Sequence, residues 1–354
     1  MRFKQIRKIE GIRKVRVNKD TEILVTENAV LDGNHEVLSS GEINPITYWY
    51  KDCFYFSTYD GDVYKYNELD KTTILLYDIK DTGITIGKED KIFLDLTVDN
   101  LNYTAVHNIT DGSFKKLPYQ FIEIACSDSV MLGGIRAFRD VKELKMYDFL
   151  KESVLWGVDY SSEKWHTTDD GEEREGQVTK VIGIHEGQVL VQLAPYVLLA
   201  LDVKTGEELW RTQDFFEGNI DKQYVYYDVS GHTNFNWHLE KEENALYLFA
   251  RFYGLKIDLI TQTIEVVYDL SPESGNEVWD LSLTNKVGDL LYFSGCEDFK
   301  AWRTDVGVFD LVKKEVVWSY RCENGGFYMA APEVSNDKLY IIDNNRNLSI
   351  FEKV

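Results

Sequence analysis

Proline, cysteine and long apolar runs are all scarce in this sequence, and each shortage excludes a class of protein. Only 5 prolines occur among 354 residues, and no stretch rich in serine, glycine and proline divides the chain, so we expect a single domain over residues 1–354. The 4 cysteines form no Cys-x-x-Cys pair and are expected to be packed, reduced thiols. No segment approaches the roughly 18 apolar residues that span a bilayer, so we expect no membrane partner.

The first residues lack the apolar segment of a secretory signal, which leads us to expect a cytoplasmic protein. Basic side chains are also in deficit, with 39 Lys and Arg against 60 Asp and Glu and a formal net charge of −21. Phosphate recognition needs a basic surface, so we expect no nucleic-acid partner. An acidic chain attracts basic protein surfaces, although solubility alone also explains such a charge. Residues 1–20 are locally basic, which we interpret as structural.

Catalytic and metal-binding signatures are missing as well. The sequence contains no Gly-x-Ser-x-Gly, no Gly-x-x-x-x-Gly-Lys-[Ser/Thr] and no His-Glu-x-x-His. The 6 histidines are scattered, and the spacing of His232 and His238 matches no zinc motif. We therefore expect no catalytic residue, no metal site and no cofactor.

One pattern is present three times: a strand-like run, an Asp, and a Trp eight residues later. Self-similarity of this kind indicates a repeat architecture, here a β-propeller. In the best copy a glycine occupies the left-handed position of a turn, and each Trp is expected to wedge against the neighbouring blade. These residues, predicted to be structural, are Asp148, Trp156, Asp202, Gly206, Trp210, Asp310 and Trp318.

Fainter copies extend the pattern to eight units of about four strands each. The last unit has a second strand at 339–343 and a third strand at 348–353, and then the sequence ends. Residues 3–9 can supply its missing outer strand, closing the ring and removing an exposed edge. We therefore predict an all-β fold, a single propeller of eight four-stranded antiparallel blades. Seven blades is the alternative, because the unit at 13–39 is the weakest copy.

The segment LALDVKTGEELW (199–210), preceded by VLVQLAPYV, resembles the repeat of the quinoprotein-like (PQQ-like) propellers, and APEVSNDKLYIID (331–343) resembles the first hairpin of that repeat. The resemblance implies the architecture and leaves the activity open. Quinone-dependent dehydrogenases of the family use adjacent cysteines, a calcium site with a catalytic Asp and a signal peptide. None of these is recognisable here, so the resemblance implies neither the cofactor nor the dehydrogenase reaction.

Two insertions interrupt the repeat, at 157–177 and 211–244. Loops on a rigid scaffold often carry binding, and aromatic anchors among carboxylates suit a basic protein surface. The alternative is a solvated acidic loop with ordinary outer-strand packing. The candidate binding residues are Trp165, His166, Asp169, Asp170, Glu172, Glu173 and Glu175 in the first insertion and Phe215, Phe216, Tyr226 and Tyr227 in the second.

These observations favour a non-catalytic interaction protein, monomeric when free, that binds a basic protein through one propeller face. A concrete version is an immunity protein that neutralises a bacterial toxin. The alternative is a carbohydrate-binding or small-molecule-binding protein, or a glycoside-acting enzyme, with its site in the axial funnel. A third possibility is a structural subunit of a larger assembly.

Overall fold

Strands are the regular elements of this protein in the computed structural model. The structure describes residues 1–19, 21–44, 46–78, 82–99, 101–137, 140–166, 173–194, 196–212, 215–216, 235–297, 303–323 and 326–354. The strands of the first half are β1 (Phe3–Ile9), β2 (Lys14–Asn18), β3 (Thr21–Val25), β4 (Ala29–Asp32), β5 (Val37–Ser40), β6 (Tyr48–Tyr50), β7 (Cys53–Ser57), β8 (Asp62–Asn67), β9 (Thr72–Asp78), β10 (Gly83–Lys88), β11 (Lys91–Val98), β12 (Leu101–Asn108), β13 (Phe114–Lys116), β14 (Phe121–Cys126), β15 (Val130–Ala137), β16 (Asp140–Asp148) and β17 (Ser153–Asp159).

The strands of the second half are β18 (Lys164–His166), β19 (Glu173–Glu175), β20 (Val178–His185), β21 (Gln188–Leu193), β22 (Val197–Asp202), β23 (Glu208–Arg211), β24 (Asn236–Glu240), β25 (Ala245–Ala250), β26 (Tyr253–Asp258), β27 (Ile264–Asp269), β28 (Trp279–Val287), β29 (Leu290–Glu297), β30 (Asp305–Asp310), β31 (Glu315–Arg321), β32 (Glu333–Ser335), β33 (Lys338–Ile342) and β34 (Leu348–Lys353).

Eight four-stranded sheets form the blades. Blades 1 to 4 are β2–β5, β6–β9, β10–β13 and β14–β17, and blades 5 to 7 are β20–β23, β24–β27 and β28–β31. Blade 8 has the strand order β1-β34-β33-β32. The fold is an eight-bladed β-propeller of antiparallel sheets. The predicted eight blades are therefore confirmed, and the seven-bladed alternative is wrong.

Burial follows the position of a strand within its blade. Second strands are buried almost throughout, as in β25, all six of whose residues are buried, and β21, in which five of six are buried. Strands covered on both faces tolerate such continuous apolar runs. Outer strands such as β1 alternate between half-buried and exposed residues, because only one of their faces packs inward.

Two compact units together account for the chain. The first comprises residues 1–83, 247–257 and 265–354, and the second comprises residues 84–246 and 258–264. In the first unit, buried side chains of blades 1 and 8, including Leu24, Tyr340 and Ile350, form one apolar cluster. In the second unit, Leu144, Val191 and Leu199 belong to a cluster that joins blades 4 and 5. The expectation of one domain stays a prediction.

The N-terminal strand completes blade 8, as the sequence predicted. β1 pairs antiparallel with β34, from Phe3 opposite Lys353 to Ile9 opposite Leu348. The ring of Phe3 lies 5.0 Å from that of Trp318, a residue of blade 7. The basic first segment therefore has a structural role, because it covers what would otherwise be an open edge at β34.

A single type of turn recurs before the outermost strand of several blades. In blade 5, the Asp202 carboxylate accepts hydrogen bonds from the backbone N–H groups of Lys204 and Thr205, both at 2.8 Å. Gly206 then takes a left-handed conformation with φ of 75°. Asp148 and Asp310 accept the equivalent backbone hydrogen bonds in blades 4 and 7. These hydrogen bonds hold the pKa of all three carboxyl groups below its usual value.

The repeat tryptophans occupy half-buried positions on the outermost strands. Trp156 of blade 4 donates a hydrogen bond from Nε1 to the Val203 carbonyl of blade 5, at 2.9 Å. Trp318 of blade 7 packs against Phe351 of blade 8, with ring centroids 5.4 Å apart. Trp210 instead donates to the side chain of Gln188 in its own blade, at 3.0 Å. The first two therefore contact the following blade.

Candidate functional site

The first insertion folds as a two-stranded hairpin outside the eight blades. β18 pairs antiparallel with β19, with Trp165 opposite Arg174 and His166 opposite Glu173. The sequence suggested a loop here. Three-residue strands lack the apolar periodicity on which strand prediction depends, so little in the sequence could have revealed this pairing.

Buried contacts fix the base of this hairpin. Trp165 is only 6% exposed and donates from Nε1 to the Glu175 carbonyl at 2.9 Å. Both terminal nitrogens of Arg211 on β23 bind the Glu163 carboxylate, at 2.8 and 2.9 Å. Glu163 and the neighbouring Glu208 raise the pKa of Arg211 further above its usual range. Two-point pairs of this kind define geometry as well as adding energy, so the hairpin stands on blade 5 in a defined position.

The charges of the described hairpin are largely balanced. Glu173 lies 3.8 Å from the Lys164 ammonium, and Glu175 forms an ion pair with Lys142 on β16. The hydrogen bond from Lys142 holds the pKa of Glu175 below its usual value. His166 is exposed beside them. The remaining predicted acidic residues, Asp169, Asp170 and Glu172, lie outside the described residues.

The predicted aromatic anchors of the second insertion do not lie at the surface. Phe215 and Phe216 are each 0% exposed, with ring centroids 4.7 Å apart, and both pack on Tyr196 and Phe235. The prediction that Phe215, Phe216 and Trp165 are exposed surface contacts is therefore wrong, because all three are buried and a partner cannot reach them in this conformation. Tyr226 and Tyr227 lie outside the described residues.

Sequence reasoning missed a basic cavity in the first unit. A cavity of about 840 Å³ lies where blade 1 meets blade 8, and Lys14, Arg16 and Arg346 are among its lining residues. Lys14 and Arg16 were visible as part of a basic N-terminal segment, but Arg346 follows more than 300 residues later. No local pattern in the sequence indicates that these residues share one cavity.

Within the described ranges, no group of three or more His, Cys, Asp or Glu side chains is placed to hold a metal ion. The same ranges contain no helix long and apolar enough to cross a bilayer. The four cysteines are free thiols.

No family model matches the sequence, and no curated protein matches it. Solved structures match across nearly the whole chain. BamB from Moraxella catarrhalis superposes with a TM-score of 0.56 at 10% identity, covering 99% of each chain. Sqt1 from Saccharomyces cerevisiae gives 0.59 at 11% identity, covering 99% of this chain and 98% of that one. The β-propeller domain of Cps50 (Swd1) from Myceliophteria thermophila gives 0.53 at 10% identity, covering 89% and 98%. At such identities the likeness shows the fold alone.

Proposed function

We propose that this chain is a non-catalytic, cytoplasmic interaction scaffold of the quinoprotein-like propeller family that binds a basic protein through the β18–β19 hairpin. The observation that carries the proposal is the hairpin itself, an addition outside the blade sheets whose base is fixed by Trp165 and the Glu163–Arg211 pair. A toxin-neutralising immunity protein is the specific version that we favour.

The hairpin is not needed to complete a blade, because blades 4 and 5 already contain four strands each. Ordering extra residues costs conformational entropy, and here a buried indole and a two-point ion pair offset that cost. Paired strands whose base is fixed lose less freedom when a partner binds. The fixed base of the hairpin therefore supports a role in presenting a contact surface to a protein partner.

The preference for a basic partner rests on charge. The chain carries a net charge of −21, and the sequence between the hairpin strands contributes Asp169, Asp170 and Glu172. The lysine-paired Glu173 and Glu175 add little to that field, since their charges are already compensated. Attraction of a basic surface should therefore depend on residues 169–172 and on the overall charge.

The test compares three full-length proteins as baits for cross-linking capture from the native host. The first is the wild type, and the second carries Asp169→Asn, Asp170→Asn and Glu172→Gln. The matched control loses three exposed carboxylates elsewhere, through Glu265→Gln, Glu277→Gln and Asp289→Asn.

We expect the wild type and the control to capture a basic protein that the hairpin variant loses, and purified partner to bind the hairpin variant at least about tenfold more weakly. Co-expression of the captured protein with and without this chain would then test neutralisation by host growth. Equal capture by all three baits would overturn the assignment of the hairpin as the contact.

A further inference from the structure

The cavity between blades 1 and 8 has the size of a small-molecule site. Its volume is about 840 Å³, within the range of several hundred to about 1,000 Å³ typical of ligand pockets. Its wall comprises the start of blade 1 (12–16), the approach to β32 (329–333), the β33–β34 turn and Tyr59. All of these residues belong to the first unit.

Basic side chains converge on this wall although the chain as a whole is acidic. Lys14 and Arg16 are two residues apart on β2, so both side chains lie on one face of the strand. Arg13 and Arg346 line the same cavity. Four cations therefore line one cavity of a chain whose net charge is −21.

Glu27 and Glu333 form ion pairs with three of these cations. Arg13 and Arg346 share the single carboxylate of Glu27, at 2.9 and 2.8 Å, and these two guanidinium groups hold the pKa of Glu27 below its usual value. Arg16 forms an ion pair with Glu333. Among the residues that line the cavity, four are cations and two, Glu333 and Asp343, are carboxylates.

The remaining carboxylate of the wall, Asp343, is engaged by its own turn. It accepts hydrogen bonds from the backbone N–H groups of Asn345 and Asn347, at 2.9 and 2.8 Å, and from the Asn347 side-chain amide. These contacts hold the Asp343 carboxylate against the turn backbone, and with its charge counted the lining still has four cations and two carboxylates.

This environment changes the pKa of Lys14. Burial and the positive charge of Arg16 lower the pKa of Lys14 to about 8, while Glu333 opposes the shift. An anion bound beside Lys14 would relieve both the desolvation and the repulsion from Arg16. At the same cavity, Met329 and Tyr59 are 56% and 52% exposed and offer apolar surface next to the charged wall.

We propose that this cavity binds a small organic anion whose carboxylate or phosphate group lies between Lys14 and Arg16 and whose apolar body contacts Tyr59 and Met329. Arginine forms two-point hydrogen bonds with both kinds of anion, and lysine acts as a point charge. This site is independent of the hairpin contact proposed above.

Titration of the full-length protein by calorimetry with phenyl phosphate and with benzoate tests the proposal, and phenol serves as the uncharged probe. We expect saturable binding of at least one anion and none of phenol. The preferred anion distinguishes a phosphate monoester from a carboxylate as the natural ligand. Absence of saturable binding of both anions up to about 10 mM, equivalent to a very weak site, would overturn the proposal.

Three variants locate the site. Arg16→Gln and Lys14→Gln should each weaken binding about tenfold or more, the loss of one charge-assisted hydrogen bond. The matched control Lys353→Gln, at an exposed position of blade 8, should bind as the wild type does. Unchanged affinity in both cavity variants would place the anion elsewhere and contradict the proposal.

Lys14→Arg keeps the charge and provides a second readout. The charged and titratable side chains on the strands packed against β2 include Glu22 on β3, Glu333 on β32, and Lys338 and Tyr340 on β33. Wild-type affinity should fall as pH rises from 7 through about 8 to 9, because Lys14 then loses its proton. Lys14→Arg should bind within a few-fold of the wild type at pH 7 and lose most of this dependence. The same pH profile in both proteins would exclude Lys14 from the site.

Discussion

The indole of Trp156 is hydrogen-bonded through Nε1 to the carbonyl of Val203 at 2.9 Å, a contact that joins the outer strand of blade 4 to the turn of blade 5. Gly206, in the same turn, lies against the face of that indole: a Cβ at Gly206 would lie 2.6 Å from Trp156 Cδ2. The Trp of one repeat copy therefore contacts the glycine-containing turn of the next copy. In this copy, the spacing of Asp148 and Trp156 places the indole against the turn of the following blade.

Gly206→Ala should therefore destabilise the protein through two effects. The residue has φ of 75°, which costs an alanine about 1 kcal/mol, and the added methyl group would displace Trp156 at a further cost of about 1–3 kcal/mol. Chemical denaturation should show a loss of about 2–4 kcal/mol in the free energy of unfolding.

Gly187→Ala is the matched control, because Gly187 has φ of 78° and a methyl group added there would meet no atom within 4 Å. It should lose only the backbone contribution of about 1 kcal/mol. Equal losses in the two variants would show that Trp156 does not restrict this position.

Phe3→Ala should weaken the closure of blade 8. The Phe3 ring packs on Trp318 with centroids 5.0 Å apart, and Phe3 belongs to the apolar cluster of blades 7 and 8. Because the side chain is half-buried, its removal should cost about 1–3 kcal/mol of unfolding free energy. The emission spectrum of Trp318 should also change as its environment becomes more polar.

Ile6→Ala on the same strand provides the control. Ile6 is exposed and lies at the irregularity in the β1–β34 pairing, so its removal should change stability by no more than about 0.5 kcal/mol. A loss as large as that of Phe3→Ala would mean that strand pairing rather than the contact with Trp318 limits closure.

Whether a feature of this fold can be predicted from the sequence depends on how far apart in the chain its interacting residues lie. β33 and β34 were recognisable because apolar residues at strand spacing are a local signal, and β1 followed from the strand missing beside them. Burial of Phe215 and Phe216 was not predictable, since two adjacent aromatic residues give the same sequence pattern in a core and at an interface. The convergence of Lys14, Glu333 and Arg346 depends on closure of blade 8 and has no local signature.

A buried ion pair links blades 6 and 7 within the first unit. Asp280 is 1% exposed; its carboxylate accepts from Arg251 Nε at 2.9 Å and from the Ser282 hydroxyl at 2.6 Å. Arg251→Met should cost about 3–5 kcal/mol of unfolding free energy, because it removes the guanidinium that is hydrogen-bonded to this buried carboxylate.

Asp280→Asn completes a double-mutant cycle for this pair. The double variant Arg251→Met, Asp280→Asn should be more stable than the sum of the two single losses predicts, by about 1–3 kcal/mol of coupling measured by denaturant unfolding. Additive losses would contradict a direct interaction between the two charges.

The aspartates of the recurring turn should make stability depend on pH in the acid range. Backbone hydrogen bonds lower the pKa of Asp148, Asp202 and Asp310 below the ordinary value of 3.8. A carboxyl group with a lowered folded-state pKa contributes stability that is fully present above its unfolded-state pKa. That contribution is lost as pH falls from about 4 through the folded-state pKa.

The triple variant Asp148→Asn, Asp202→Asn, Asp310→Asn keeps an oxygen acceptor in each turn but removes the titration. We expect it to be less stable than the wild type at pH 7, because a neutral acceptor binds backbone N–H groups more weakly than a carboxylate. Between about pH 4 and pH 2, its stability should decline less steeply than that of the wild type. Thermal unfolding monitored by circular dichroism across this range measures both effects.

The triple variant with Glu265→Gln, Glu277→Gln and Asp289→Asn, which removes the same number of carboxylates, should retain the wild-type slope below pH 4. If the turn variant showed that same slope, the three aspartates could not be responsible for the acid sensitivity.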